Sequence, residues 1–493
     1  MKTIKTLLII AAGILLFTRC SDFGNVNMDP NNPSTANTRS LFLYAAIYTQ
    51  YFGYMGNYDP WNQLYPNYIT ERTNVQYTKF TLSAFSTTYY HRYAVRNLED
   101  IVAYNENPAT AKESWVSAFG DANTQIGVAH TLRGFFYMHL TDILGMLPYS
   151  EANQATEGNF TPKYDTQEYI YTDLDKKLTE VYALLDESGR LDKSYDIFYN
   201  GNISNWKKLN ASIRMMMAIK LSDVAPAVGK ERFAKAYADG GIIDNADLFQ
   251  YKFLPENDNA NPLWVNMVQN PRKDFVPTGQ LISQLKAFDD PRLPAYAVPN
   301  QVNEYVGIPF GTTAANLSTN WEDGTFCDFN KKYYEQAAPW VMITPSHILL
   351  IQAEAAVRGW ISADPEVLYK AGIKASFDQH KETAGYDFDA YYNQDGVKLT
   401  GTNEEKIAKI GMQRWLANYM QDGIEAWSDW RRLGVPTFIT PGETGTTIGN
   451  VSHIPYRRCY STTDFSPNQA NYDAMIAVQG ADSFDTRVWW DTK

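Results

Sequence analysis

Apolar residues recur at helical spacing over much of the chain, and this pattern predicts a mainly α-helical protein. The first amphipathic stretch places Leu41, Tyr44, Ala45, Tyr48 and Phe52 on one face. The same spacing marks residues 132–147, 170–185, 206–224, 348–357 and 412–427.

One of these helices has particularly clear ends in the sequence. Thr402 and Glu405 have the spacing of a capping box, in which side chains satisfy the first free backbone amides. Arg432 falls in the last turn and Gly434 follows it. We therefore predict a long helix between Thr402 and Arg432, with a kink at Gly423.

Other local interactions follow from residue spacing. Asp165 and Glu168 resemble a second capping box. Glu354 and Arg358 lie four residues apart and are expected to form an ion pair across one helical turn. Alanines around Glu354 let a neighbouring helix approach closely, which favours stacked helical pairs of the tetratricopeptide type, although no clean period of about 34 residues appears.

Prolines, glycines and asparagines recur between residues 245 and 345, where helical periodicity is confined to 281–288. We interpret this region as a loop-rich lobe with few short strands. The predicted organisation is one domain, 39–493, with a curved helical body (39–240 and 346–435), the lobe (245–345) and a C-terminal segment (436–493).

The N-terminal residues predict export. Lys2 and Lys5 precede an apolar run that is too short to span a bilayer and ends at Cys20. We predict a signal peptide at 1–19 and a lipidated Cys20 that begins a polar tether, 20–38. Arg19 departs from the small residue usual before a lipidated cysteine.

The composition of the chain argues against nucleic-acid binding and against a disulfide-based fold. The net charge of -12 argues against nucleic acid, because phosphate binding needs clustered Lys and Arg. Only Cys327 and Cys459 remain after Cys20, so the fold does not rest on a disulfide framework. The sequence leaves open whether these two are bridged or are separate thiols.

Most catalytic and metal-binding signatures are missing from the sequence. It contains no G-x-G-x-x-G, H-E-x-x-H or G-x-S-x-G motif, and its six histidines lack metal-ligand spacing. We predict no catalytic residue, metal or cofactor. His139 lies on an apolar helical stripe and is interpreted as a core residue.

Several segments in order along the chain resemble the SusD/RagB family of outer-membrane nutrient-binding lipoproteins, and its SusD-like branch in particular. They include LTDILGMLPYSEA (140–152), YDTQEYIY (164–171), WKKLNASIR (206–214), DDPRL (289–293), QAEAAVRG (352–359) and WSDWRRLG (427–434). Each segment is weak alone, whereas together they cover nearly the whole mature chain.

The resemblance implies a non-catalytic, cell-surface lipoprotein held in the outer membrane by its lipid anchor. It implies an oligosaccharide or peptide ligand, which would be delivered to a SusC-like TonB-dependent transporter. Ligand contacts in such proteins come from variable loops rather than from the matching segments.

Aromatic residues suggest where a sugar would bind, because a pyranose ring lies flat on an aromatic ring while amides and guanidinium groups bind its hydroxyls. Nine aromatics fall within residues 51–80, and residues 56–67 lack helical periodicity. The predicted ligand-binding residues are a ring platform, polar partners at its edge and two rings from the lobe: Trp61, Tyr65, Tyr68, Asn62, Asn67, Arg72, Trp264 and Trp321.

Two other functions share these features. A secreted carbohydrate-active enzyme would have the same signal and aromatics, and would hydrolyse a polysaccharide. A helical-repeat adaptor would bind only proteins, and its aromatic loop would be a protein interface. Solvent-facing aromatics around a concave pocket would favour glycan capture over the adaptor.

Overall fold

The computed structural model describes residues 36–53, 60–73, 75–80, 84–444 and 452–493. The predicted signal peptide, the lipidation site at Cys20 and most of the tether lie outside these residues. Among the described residues, no helix is both long enough and apolar enough to cross a membrane.

The protein is mainly helical, as predicted. The longer helices are α1 (Thr38–Ile47), α2 (Arg96–Glu106), α3 (Ala122–Leu144), α4 (Gln167–Tyr182), α5 (Ile203–Lys220), α6 (Pro226–Ala238), α7 (Gly279–Ala287), α8 (Ala314–Asn320), α9 (Pro345–Val357), α10 (Pro365–Asp378), α11 (Asn403–Ala417), α12 (Gly423–Leu433) and α13 (Gln469–Gln479).

Short helical segments connect them. Single α-turns are Trp61–Leu64, Thr88–Tyr90, Ser114–Ser117, Pro262–Trp264, Leu293–Tyr296, Phe388–Tyr392 and Thr462–Phe465. The 3-10 turns are Tyr48–Phe52, Ala155–Glu157, Asn245–Asp247, Asn257–Asn259, Lys331–Tyr334, Lys381–Thr383 and Ser466–Asn468, and π-turns occur at His91–Val95 and Val265–Gln269.

The strands form two-stranded ladders. They are β1 (Ile69–Glu71), β2 (Ala84–Phe85), β3 (Leu147–Pro148), β4 (Tyr164–Asp165), β5 (Phe249–Tyr251), β6 (Phe275–Pro277), β7 (Ala297–Val298), β8 (Asp328–Phe329), β9 (Trp340–Ile343) and β10 (Cys459–Tyr460). The pairs β1–β6, β3–β4, β5–β9 and β7–β8 are antiparallel, whereas β2 and β10 are parallel.

Neighbouring helices pack as pairs: α2 with α3, α4 with α5, α9 with α10, and α11 with α12. Glycines permit some of the closest approaches. A Cβ on Gly134 of α3 would lie 2.9 Å from Leu178 of α4, and one on Gly372 of α10 would lie 2.7 Å from Leu350 of α9. The predicted pairing of helices is therefore confirmed, and the small residues at these two close approaches are glycines and not the alanines around Glu354.

Two predicted helix boundaries are wrong in detail. The long helix after Thr402 is divided into α11 and α12, and Gly423 begins the second helix instead of kinking one. A Cβ on Gly423 would overlap the carbonyl oxygen of Asn62, so the neighbouring segment requires glycine there. Helix α4 is capped by Thr166, whose side chain accepts a hydrogen bond from Tyr169, and not by Asp165.

Other local predictions are confirmed. The capping box of Thr402 and Glu405 is present at the start of α11. Cys327 and Cys459 are not bridged to each other, so the disulfide alternative is excluded.

The C-terminal segment completes the fold by contacting its earliest parts. Cys459 of β10 lies opposite Ala84 of β2. Trp490 is buried, and its indole N–H donates a 2.8 Å hydrogen bond to Asp142 of α3. Residues that are far apart in sequence therefore share one core.

Glu354 of α9 is the centre of a buried ionic network. Its carboxylate contacts Arg358 at 2.9 Å, Arg414 of α11 at 3.1 Å and Arg432 of α12 at 2.7 Å. Asp429 completes the network, 2.6 Å from Arg414. Burial alone would raise the pKa of Glu354, but the three guanidinium groups hold it well below its usual range.

We predict that Glu354→Gln destabilises the protein by about 3 to 5 kcal/mol, because it leaves buried guanidinium charges without their partner. Urea unfolding followed by circular dichroism measures this change in the free energy of unfolding. The control is Glu366→Gln, which removes a partly exposed pair with Lys370 (2.7 Å) and should cost less than about 1 kcal/mol. Equal effects of the two substitutions would contradict a central role for Glu354.

Candidate functional site

The predicted aromatic platform is not formed, because the structure places its rings in the core. Trp61, Tyr65 and Tyr68 are 7%, 2% and 0% exposed. Trp61 and Tyr65 pack edge-on against Trp427 of α12, with ring centroids 5.7 and 5.3 Å away. Tyr68 lies against Trp415 of α11. These rings have no face available to a sugar, so their prediction as a solvent-facing platform is wrong.

The two asparagines predicted at the platform edge are also buried and bind backbone. The side-chain amide of Asn62 donates to the carbonyls of Phe52 and Gly53. The side-chain oxygen of Asn67 accepts a 2.9 Å hydrogen bond from the backbone N–H of Thr440. Their prediction as ligand partners is therefore wrong, because both amides fix loop conformation.

Arg72 lies at the end of the β1–β6 ladder. Its backbone N–H donates a 3.0 Å hydrogen bond to the carbonyl of Asp274, immediately before β6. Its guanidinium forms an ion pair with the exposed Asp323 and lies over the ring of Phe326, 5.3 Å from the centroid. The Nε atom is buried and has no hydrogen-bond partner among the described residues.

Trp321 joins Arg72 at the same end of the ladder. It follows α8 directly, is half-buried and packs against a small cluster of Val75, Val276, Ile308, Leu317 and Phe326. Phe326 therefore touches both the guanidinium of Arg72 and the cluster that supports Trp321.

Trp264 precedes, by two residues, an asparagine that contacts this region. The ring is half-buried at the end of the Pro262–Trp264 turn. In the next turn, the side-chain amide of Asn266 donates a 3.0 Å hydrogen bond to Asp274, and the exposed Arg272 pairs with the same carboxylate at 3.1 Å. The side-chain oxygen of Asn266 is buried without a partner among the described residues.

We call this region the β1–β6 site, which consists of Arg72, Trp264, Asn266, Arg272, Asp274, Trp321, Asp323 and Phe326. It combines the half-buried indole of Trp321, the guanidinium groups of Arg72 and Arg272, and an amide oxygen of Asn266 that has no hydrogen-bond partner among the described residues. The half-buried indole of Trp264 lies two residues before Asn266 in the chain. Three predicted residues, Arg72, Trp264 and Trp321, belong to it.

Five members of the β1–β6 site were not predicted as ligand contacts: Asn266, Arg272, Asp274, Asp323 and Phe326. Asp274 is brought to Arg72 by the pairing of β1 with β6, in which Glu71 lies opposite Phe275, whereas Asp323 and Phe326 contact Arg72 from the segment after α8. The polar, proline-containing sequence around Asp274 is a local signal, and it does not identify a partner about 200 residues earlier.

Glu71 fixes the chain next to Arg72 through hydrogen bonds. It is buried, and its carboxylate accepts hydrogen bonds from the backbone N–H of Thr78 at 2.9 Å, from the Thr78 hydroxyl at 3.0 Å and from the backbone N–H of Gln76 at 3.1 Å. These bonds fix the segment after Arg72. Burial raises the pKa of Glu71 to about 7, although the hydrogen bonds offset part of the effect.

A separate cluster has the residue types of a metal site. Side-chain atoms of His139, Asp422 and Glu425 lie within 4.8 Å of one another, and all three residues are buried. The ammonium of Lys220 contacts both Glu425 and Asp142, and His139 lies 3.3 Å from Asp422. Because these contacts already pair the charges, we interpret the cluster as an ionic link between α3, α5 and α12. The prediction of His139 as a buried core residue is confirmed.

Comparison with known proteins agrees with the resemblance seen in the sequence. A family model described as starch-binding and associating with the outer membrane matches residues 30–461. The comparison with curated proteins gave no significant match.

Solved structures share the fold. A chitin-binding protein covers 93% of this chain and 100% of its own length, with 24% identity and a TM-score of 0.77. A SusD homologue from Bacteroides uniformis covers 92% and 99%, with 22% identity and a TM-score of 0.76. A chitin-binding SusD homologue from Flavobacterium johnsoniae covers 92% and 97%, with 22% identity and a TM-score of 0.69.

We predict a pH dependence of stability that comes from Glu71. In the folded protein the Glu71 carboxyl group stays protonated up to about pH 7, whereas in the unfolded chain it loses its proton near pH 4.5. The folded state therefore binds more protons than the unfolded state between these two pH values. Below pH 4.5 the contribution of Glu71 to the free energy of unfolding is fully present. This contribution, about 3 kcal/mol, is lost as the pH rises through 7.

The measurement compares urea unfolding of the wild type and of Glu71→Gln across this pH range. The variant should show a flatter dependence of the free energy of unfolding, because its amide does not titrate. Parallel pH profiles for the two proteins would show that Glu71 does not titrate in this window.

Proposed function

The chain belongs to the SusD-like family of starch-binding proteins that associate with the outer membrane, and from this premise we propose that it captures oligosaccharides at the cell surface. In the proposal, it delivers them without chemical change to a SusC-like TonB-dependent transporter. Acylation of Cys20 would hold the protein at the outer membrane, since two or more acyl chains give durable anchoring.

The observation that carries the ligand assignment is the composition of the β1–β6 site. Trp264 and Trp321 are half-buried, so they combine rigid support with ring surface that remains open to a ligand. Buried polar atoms are normally hydrogen-bonded, yet Arg72 Nε and Asn266 Oδ1 have no partner among the described residues. A side-chain movement on binding would let a saccharide hydroxyl accept from the first and donate to the second.

Electrostatics favour a ligand with many hydroxyls. Asp274 and Asp323 already pair with Arg272 and Arg72, so the site carries little net charge. Hydroxyls donate and accept equally well, which suits the mixture of carboxylate, amide and guanidinium groups. A peptide remains the alternative ligand, and the binding experiment below includes it.

We predict that Trp321→Ala weakens binding of the cognate glycan by at least about tenfold, equivalent to about 1.4 kcal/mol, because the sugar loses its aromatic contact. Affinity electrophoresis through gels containing starch or chitin, with a peptide digest in parallel, identifies the ligand class and measures retention. The matched control is Trp489→Ala, which removes another half-buried indole from the C-terminal segment.

Equal retention of Trp321→Ala and the wild type would remove Trp321 from the site.

Trp61→Ala tests the assignment of Trp61 to the core instead of to a sugar platform. Because Trp61 packs in the core, this substitution should lower the free energy of unfolding by about 3 to 5 kcal/mol.

We predict that the protein, tagged at its C-terminus and extracted from outer membranes in mild detergent, co-purifies with a large TonB-dependent barrel at about one to one. Cys20→Ala should release the protein from the membrane fraction. Recovery of the protein without a barrel would contradict the transport role, and release of reducing sugar from the retained polysaccharide would favour the enzyme alternative.

A further inference from the structure

The helical body contains a second cleft, built from elements that do not contribute to the β1–β6 site. It lies between α2, α3 and α4 and is bordered by residues 149–157. Its volume is about 550 Å³, which falls in the range of small-ligand pockets. We call it the α2–α4 cleft.

Arg133 forms a rigid wall of this cleft. Its guanidinium is held between the rings of Tyr137 and Tyr149, 4.7 and 4.9 Å from their centroids. Its Nε also lies 3.1 Å from a carboxylate oxygen of Glu99. A guanidinium fixed by stacking and by an ion pair loses little conformational freedom when a ligand binds.

Two carboxylates of the cleft are oriented by neutral groups. The hydroxyl of Tyr149 donates a 2.6 Å hydrogen bond to Asp173, and the side-chain amide of Asn153 donates at 2.9 Å to Glu99. Each carboxylate can accept further hydrogen bonds, because its two oxygens offer about four lone-pair positions. The cleft therefore presents fixed acceptors for hydroxyl groups.

Two further polar atoms in the cleft lack partners. The Nδ1 atom of His130 and the hydroxyl oxygen of Ser150 are both inaccessible to solvent and have no hydrogen-bond partner among the described residues. Burial and the nearby charges of Arg133 and Lys177 lower the pKa of His130 to about 3, so its ring is neutral at physiological pH. Buried atoms without partners are unfavourable, and a side-chain movement on ligand binding would let both form hydrogen bonds.

An exposed aromatic ring completes the cleft. Tyr169 of α4 lines it and is 47% exposed, although large aromatics are usually more deeply buried. An adjoining cleft of about 450 Å³ shares the wall residues Arg96, Ala152 and Asn153 and carries Phe160, which is 74% exposed. The two clefts together have room for a chain of several sugar units.

The charge of the lining restricts the ligand class. Five carboxylates and three cationic side chains line the α2–α4 cleft. This excess of negative charge disfavours uronic acids and sulfated sugars, since like charges repel in a partly desolvated cleft. Neutral hydroxyl-rich ligands carry no such penalty.

We propose that the α2–α4 cleft is a second binding site for a neutral oligosaccharide, with Tyr169 as its aromatic contact and Arg133, Glu99 and Asp173 as its polar partners. The inference rests on the proposed function, since it assigns a further site to the same class of ligand. Two sites on one molecule raise the avidity for a long polysaccharide without any new type of contact.

The experiment uses the full mature protein on an array of neutral and anionic oligosaccharides, followed by isothermal titration with the best neutral ligand. The wild type should bind two ligands per chain. Tyr169→Ala and Trp321→Ala should each reduce this to one, and the double variant should bind none. Tyr44→Ala is the matched control, because Tyr44 is 46% exposed and lies on α1, outside the cleft.

The two proposals fail in different ways. If Trp321→Ala abolishes binding and Tyr169→Ala leaves stoichiometry and affinity unchanged, the second site is overturned and the proposed function stands. If the wild type binds no neutral glycan, both are overturned. Tyr169-dependent binding of an anionic glycan would overturn the ligand class. Loss of the co-purified transporter in Tyr169→Ala, with glycan binding unchanged, would instead make the cleft a protein interface.

Discussion

The fold depends on placing full charges inside a helical core and neutralising them there. Glu354 of α9 binds arginines from α11 and α12, so these three helices are held in one relative position. Lys220 provides a second link, because it joins Asp142 of α3 to Glu425 of α12. Breaking such pairs leaves a buried charge, so each link tolerates little displacement of its helices. The loops that form the β1–β6 site are connected to these rigidly linked helices.

Local features of the fold could be predicted from the sequence because their causes are local. Helical periodicity, the capping box at Thr402 and the Glu354–Arg358 pair each depend on residues within one or two turns. The break between α11 and α12 could not be predicted in this way. The carbonyl of Asn62 occupies the space beside Gly423 at the start of α12, and no short-range pattern reports that contact.

The aromatic stretch before Phe80 shows why binding sites are harder to predict than helices. A dense group of rings is equally suited to a core and to a sugar platform, and sequence density does not distinguish them. Trp61 is in the core because Trp427 is there to pack against it. Arg72 and Asp274 come together only because β1 pairs with β6, and Phe326 joins Arg72 to the cluster around Trp321 only through tertiary packing. The sequence therefore indicated the kind of residue in the candidate site, and Arg72, Trp264 and Trp321 stay predicted ligand contacts.

The parallel pairing of β2 with β10, and the burial of Trp490 beside Asp142, bear on how the protein is made. The contacts join Ala84 and Asp142 to residues 459–490, so neither can form until the C-terminal segment is available. A chain that is made from its N-terminus therefore folds its early helices with Asp142 and the apolar surface around it still uncovered. The C-terminal segment is thus the part of the chain that closes the core.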